Sequence, residues 1–116
     1  MLPVRVNSNG VVVSVLSRKL KALTQAQPEL AAASIALGNL YSAQERWAEA
    51  QQAYFTAYAS QPDNPDLLFN LAITLEYLNQ PKLAMQYYKE ALQASKRWPA
   101  SFSAAQVDAR LRTLQP

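Results

Sequence analysis

The 116-residue sequence contains no cysteine and no histidine. The first absence removes disulfides, thiolate metal sites and cysteine nucleophiles together. The second removes the commonest general base and metal ligand. Glycine is scarce, at two residues, and half of the chain is hydrophobic, which excludes a disordered tail or a turn-rich β-protein. Long apolar runs are missing as well. The longest, Val11 to Val13 followed by Val15 and Leu16, falls far short of the roughly 20 residues that a spanning helix needs. No cleavage site of a signal peptide follows an apolar core at the N-terminus. The default compartment is therefore the cytoplasm, or the periplasm or a membrane surface if the chain is part of a larger envelope protein.

Carboxylates, lysines and hydroxyls remain for chemistry, and no nucleophile–base pair can be assembled from them with any specificity. The expectation is a non-enzyme with no cofactor and no metal site. The net charge of +3 comes from 11 basic and 8 acidic residues, placed unevenly. Arg5, Arg18, Lys19 and Lys21 lie at one end, and Lys89, Lys96, Arg97, Arg110 and Arg112 at the other. Between them Glu29, Glu45, Glu49, Asp63, Asp66 and Glu76 face only Arg46. A nucleic-acid binder more often gathers its cations into one patch, so that class of partner is disfavoured.

The sequence repeats itself. Leu37, Gly38, Ala50, Tyr54 and Ala57 recur 34 residues later as Leu71, Ala72, Ala84, Tyr88 and Ala91. The same step backwards from Ala50, Tyr54, Ala57 and Pro62 reaches Leu16, Leu20, Leu23 and Pro28. Small residues at these positions let helices approach closely, and the tyrosines fill the space between neighbouring pairs. The apolar spacing predicts six helices, at 13–27, 30–44, 47–60, 65–78, 81–94 and 103–114. Asp63-Asn64-Pro65 is expected to cap a helix and place proline in its first turn, and Asn79-Gln80-Pro81 to do the same one helix later. Ser103-x-x-Gln106 is a capping box, with Phe102 and Val107 placed for a hydrophobic staple.

Leu37-Gly38-x-x-Tyr41, Ala50-x-x-x-Tyr54, Ala57 and Pro62, with Trp47 opening the second helix, resemble the tetratricopeptide-repeat family over roughly residues 13 to 98. The second unit is looser, with Ala72 for glycine, Leu75 for tyrosine and Lys96 where proline would close it. The resemblance implies an all-α, right-handed superhelix of antiparallel helix pairs that binds another protein. Its divisions would be an N-terminal arm at 1–12, a half repeat at 13–28, full repeats at 31–64 and 65–98, and a C-terminal capping helix at 103–114. The stretch from Leu40 to Leu92 also resembles repeat proteins of bacterial type IV and MSHA-type pilus assembly, notably in Glu45-Arg46-Trp47-Ala48-Glu49-Ala50 and Asn70-Leu71-Ala72.

In family members the first helix of each pair lines a concave groove. That register implies a peptide site made by Asn39, Ser42, Asp66, Phe69, Asn70, Ile73, Glu76 and Tyr77. Asn39 and Asn70 match the two asparagines with which peptide-binding members hold a ligand's main chain, a task suited to a side chain that both donates and accepts. The plainer alternative is that they are solvated helix residues, and that Phe69 and Tyr77 only pack on the neighbouring repeat. Ile35, Ala100 and Ala104 stand where chaperone-binding members carry cations, so capture of a terminal carboxylate is not expected. Phe69, Ile73 and Tyr77 with Glu76 at their edge suit an amphipathic helix or extended segment that carries a basic residue.

Two further surfaces have rival readings. Val13, Leu16, Leu20 and Leu23 with Arg18, Lys19 and Lys21 could form a membrane-surface helix, but the 34-residue register favours packing inside the solenoid. Lys96-Arg97-Trp98 could meet nucleic acid, but a solvated linker with Trp98 closing the last pair is the favoured reading. The helix at 13–27 lacks the first helix of its own pair, so its raw edge is expected to be covered by the arm or by a second copy in a homodimer. A structural segment of a longer array, with no ligand of its own, is the main rival to an adaptor.

Overall fold

The computed structural model describes residues 2–115, with side chains from Gly10 onward. Its helices are α1 Leu2–Ala26, α2 Ala31–Ala43, α3 Trp47–Ser60, α4 Pro65–Tyr77, α5 Pro81–Ser95 and α6 Ala104–Leu114. Each packs chiefly on its neighbours in sequence, and the molecule is elongated at 48 × 32 × 23 Å. The architecture is an all-α helical-repeat solenoid, built by stacking helix pairs that cannot bury their apolar faces alone.

The close approach of the pairs follows from the small residues. Ala50, Ala57, Ala84 and Ala91 are all 0 % exposed, and Tyr54 and Tyr88 lie between them, fully buried. A Cβ added to Gly38 would stand 2.5 Å from the Tyr54 ring, so glycine is what lets α2 and α3 meet at that level. Helices α2 to α6 begin and end within one residue of the expected positions.

Their caps divide. Asn64 accepts a hydrogen bond from the Leu67 N–H at 3.2 Å, with Pro65 in the first turn, as the sequence suggests. Asn79 does not cap α5, contrary to expectation. It adopts a left-handed conformation (φ 58°) just past the end of α4, while Gln80 takes the N-cap position without a side-chain bond. Asparagine tolerates that conformation because its short polar side chain can bond locally. Glu45, one repeat earlier, holds the same φ of 58° with a less suitable side chain. Glu45→Gly is expected to raise stability by about 0.5–1 kcal/mol. Urea unfolding measures it, and an unchanged or lower midpoint would mean that the turn carries no strain.

The N-terminus departs furthest from expectation. Of the arm placed at 1–12, Met1 and the side chains of 2–9 lie outside the described residues, but the backbone from Leu2 continues α1 as helix. Pro3 falls in the first turn, where its missing N–H costs nothing, and Asn7, Asn9 and Gly10 each cost at most about 1 kcal/mol within a long helix. Nothing lies within 4 Å of a Cβ built at Gly10. The register also misleads here. Leu20 packs on the core, but Leu16 and Leu23 remain 45 % and 40 % exposed. They stand where Ala50 and Ala57 pack against the first helix of their own pair, and among the described residues no helix fills that place for α1.

Candidate functional site

The first helices of successive pairs meet along one face. Asn39 on α2 and Asn70 on α4 are in contact: the Asn70 amide donates to Asn39 Oδ1 at 3.4 Å. The same oxygen accepts from the Tyr54 hydroxyl at 2.6 Å. Since that tyrosine has one proton and gives it to Asn39, Ser42 Oγ, 3.2 Å from the Tyr54 oxygen, must be the donor there. The chain Ser42–Tyr54–Asn39–Asn70 thus fixes one side of the asparagine pair. Asn39 Nδ2 and Asn70 Oδ1 have no partner among the described residues.

The other expected groove residues are held from the C-terminal side. Asp66 accepts from the Ser101 N–H at 2.8 Å and from its hydroxyl at 2.9 Å. Phe69 stacks on Phe102, with centroids 4.6 Å apart and ring planes at 14°, and meets the Tyr88 ring edge-on. Glu76 accepts from the Tyr88 hydroxyl and from Nε and Nη2 of the Arg110 guanidinium. The network has a clear electrostatic sense. Burial, then the Glu76 carboxylate, hold the Tyr88 phenol well above its usual pKa, and the bond to Glu76 raises that of Arg110. Tyr77 is exposed and stacked flat on Trp47 at 4.0 Å. Ile73 is half-buried against the core.

Two adjoining cavities run along this face. One, of about 490 Å³, is lined by Ile35, Asn39, Asn70, Ser101, Phe102 and Gln106 among others. The second, of about 640 Å³, lies between Phe69, Ile73, Tyr77 and Tyr88 on one side and Gln106, Ala109 and Arg110 on the other. Helices α2, α4 and α6 therefore form a common wall. Seven of the eight expected residues line it, while Ser42 acts behind it through Tyr54.

A comparison with family models places two tetratricopeptide repeats at residues 33–68 and 67–101. The chain belongs to the tetratricopeptide-repeat family. No curated protein matches it. The repeats make it a protein–protein interaction module of a family that is generally a non-enzymatic scaffold. Among the described residues no group of three or more metal-ligating side chains converges, and no helix is long and apolar enough to cross a membrane.

Contributors to the wall from the C-terminal side lie outside the repeat signature: Ser101, Phe102, Gln106, Ala109 and Arg110. For Arg110 a signal existed. It lies 34 residues after Glu76, so opposite charges one repeat apart fall side by side on adjacent first helices. A capping helix at 103–114 carries no expectation of such a pair.

Proposed function

We propose that this tetratricopeptide-repeat domain is an adaptor whose α2/α4/α6 groove holds a peptide or helix of a partner protein. The supporting observation is the Asn39–Asn70 pair, which leaves one amide donor and one amide acceptor without internal partners beside a cavity of about 490 Å³. Such a pair can hold a main chain without reading its sequence. The neighbouring apolar space, bounded by Phe69, Ile73 and Tyr77, would take a large hydrophobic side chain of the ligand. Glu76 is already neutralised by Arg110, so a basic residue on the ligand is no longer required. In the setting that the resemblance of residues 40–92 to pilus-assembly proteins implies, the partner would belong to a bacterial envelope machine.

A homodimer through the N-terminal edge is not part of this reading. A contact through Val12, Leu16 and Leu23 would bring the Lys19 side chains of the two copies close, with no acid between Leu2 and Pro28 to offset them.

The test compares wild type with Asn39→Ala/Asn70→Ala as bait in the source lysate. A partner bound by wild type should be lost or weakened at least tenfold by the double variant, corresponding to about 1.4 kcal/mol or more. Equal thermal midpoints would establish that the fold is intact. Capture of the same proteins by both baits would show that the groove is not the working surface and favour the spacer role.

A further inference from the structure

We propose that the cleft between α1 and the start of α3 binds a phosphate monoester, carried by a phosphorylated side chain of a partner protein or by a free metabolite. Ser14, Ser17, Arg18 and Lys21 follow at intervals of three and four, so they share one side of α1, opposite Leu16 and Leu23. They border a cleft of about 230 Å³ whose other wall is made by Tyr41 near the end of α2 and by Arg46 and Glu49 at the start of α3. None of these residues lines either cavity of the α2/α4/α6 groove.

One wall of the cleft is tied down. Glu49 accepts from Arg46 Nε at 2.8 Å through one oxygen and from Nη2 through the other, while Gln44 takes Nη1 at 3.3 Å. The guanidinium so held lies over the Tyr41 ring, 4.7 Å from its centroid. Tyr41 is only 7 % exposed, yet its hydroxyl has no hydrogen-bond partner among the described residues. The polar tip of a buried ring ordinarily has one, so this hydroxyl calls for a partner from outside. On the α1 wall, Ser17 gives its proton to the Val13 carbonyl, but Arg18 and Lys21 are exposed and make no ion pair among the described residues. Three cations against one carboxylate leave two positive charges, and Arg18 and Lys21 can only donate. The complement is a dianion made of acceptors. A phosphate monoester carries close to two negative charges and three acceptor oxygens at neutral pH, whereas a side-chain carboxylate offers one charge and two oxygens.

Amide chemical shifts of the full chain test the assignment with three probes: inorganic phosphate, phosphoserine within a short peptide of otherwise uncharged residues, and succinate. Both phosphate probes should saturably shift amides near Ser14–Lys21 and Tyr41–Glu49. Binding should be weaker at about pH 5 than at about pH 7.5, because the second phosphate proton leaves near pH 6. Affinity should fall roughly tenfold in Arg18→Gln/Lys21→Gln and roughly threefold in Tyr41→Phe. The latter loses no internal hydrogen bond, so circular dichroism should remain that of wild type. Lys19→Gln removes a cation from the flank of Leu16 and Leu23 and should bind as wild type does. A phosphopeptide bound at least about tenfold more tightly than inorganic phosphate supports a partner protein as the carrier, and equal affinities support a small metabolite. The proposal is overturned if neither phosphate probe shifts those amides, if succinate binds as tightly, or if Tyr41→Phe binds unchanged. It is also overturned if Lys19→Gln weakens binding as much as Lys21→Gln does, which would reduce the effect to net charge.

Discussion

Tyr88→Ala is expected to lower the unfolding free energy by about 3–5 kcal/mol, a large part of what a domain of this size possesses. The ring is fully buried between the two helices of the second repeat and touches Phe69, while its hydroxyl reaches Glu76. Removing it leaves a cavity in the middle of a stack whose units support only their neighbours. Tyr88→Phe should cost far less, about 1–2 kcal/mol, since only the bond to Glu76 is lost. Chemical denaturation of the three proteins separates the two contributions. Equal losses in both variants would place the energy in the hydroxyl rather than in packing.

The same residue gives the stability a pH dependence. The phenol is held neutral to a pH well above its ordinary value near 10, and Tyr58 is pushed up to about 12 by burial and the Glu90 carboxylate. Both folded-state values lie above the unfolded one. Their contribution is therefore complete below pH 10 and is lost as pH rises above it. Denaturation midpoints should be flat from neutrality to about pH 9.5 and fall beyond it. Tyr88→Phe should blunt that fall.

Val107→Asp is expected to release α6 from the rest of the domain. Val107 is the one fully buried residue of that helix, and a carboxylate in its place would be buried while Arg110, one turn on, is already engaged by Glu76. The penalty is about 3–5 kcal/mol or the whole docking energy of α6, whichever is smaller. Release would also withdraw Phe102 from Phe69 and Arg110 from Glu76, uncovering the groove wall. Limited proteolysis should then cut first between Lys96 and Ser103, at a protein that keeps most of its helical signal. An unchanged cleavage pattern would mean that α6 is held by other contacts.

The alanine–tyrosine register specified the stacking from α2 to α5, because close packing tolerates few side chains at those sites. The start of α1 was not legible, since Asn7, Asn9 and Gly10 argue locally against helix while a long helix absorbs their small costs. Asn79 was misplaced because asparagine serves equally well before a helix and in a left-handed turn. The groove was half legible. Its residues are where the repeat signature puts them, but whether Asp66, Phe69 and Glu76 wait for a ligand or meet their own chain depends on how the loop from Lys96 to Ser103 sets α6. No local pattern encodes that.

The packing of each helix chiefly on its sequence neighbours also bears on how the chain finds its shape. Contacts that close only short loops require little ordering before they form, so folding should be fast, within microseconds to milliseconds, for a protein of this length. The middle pairs can then serve as the nucleus from which order spreads outward in both directions. Amide protons of α4 and α5 should consequently outlast those of α1 in exchange with solvent. The N-terminal helix would open and close many times in the life of one folded molecule.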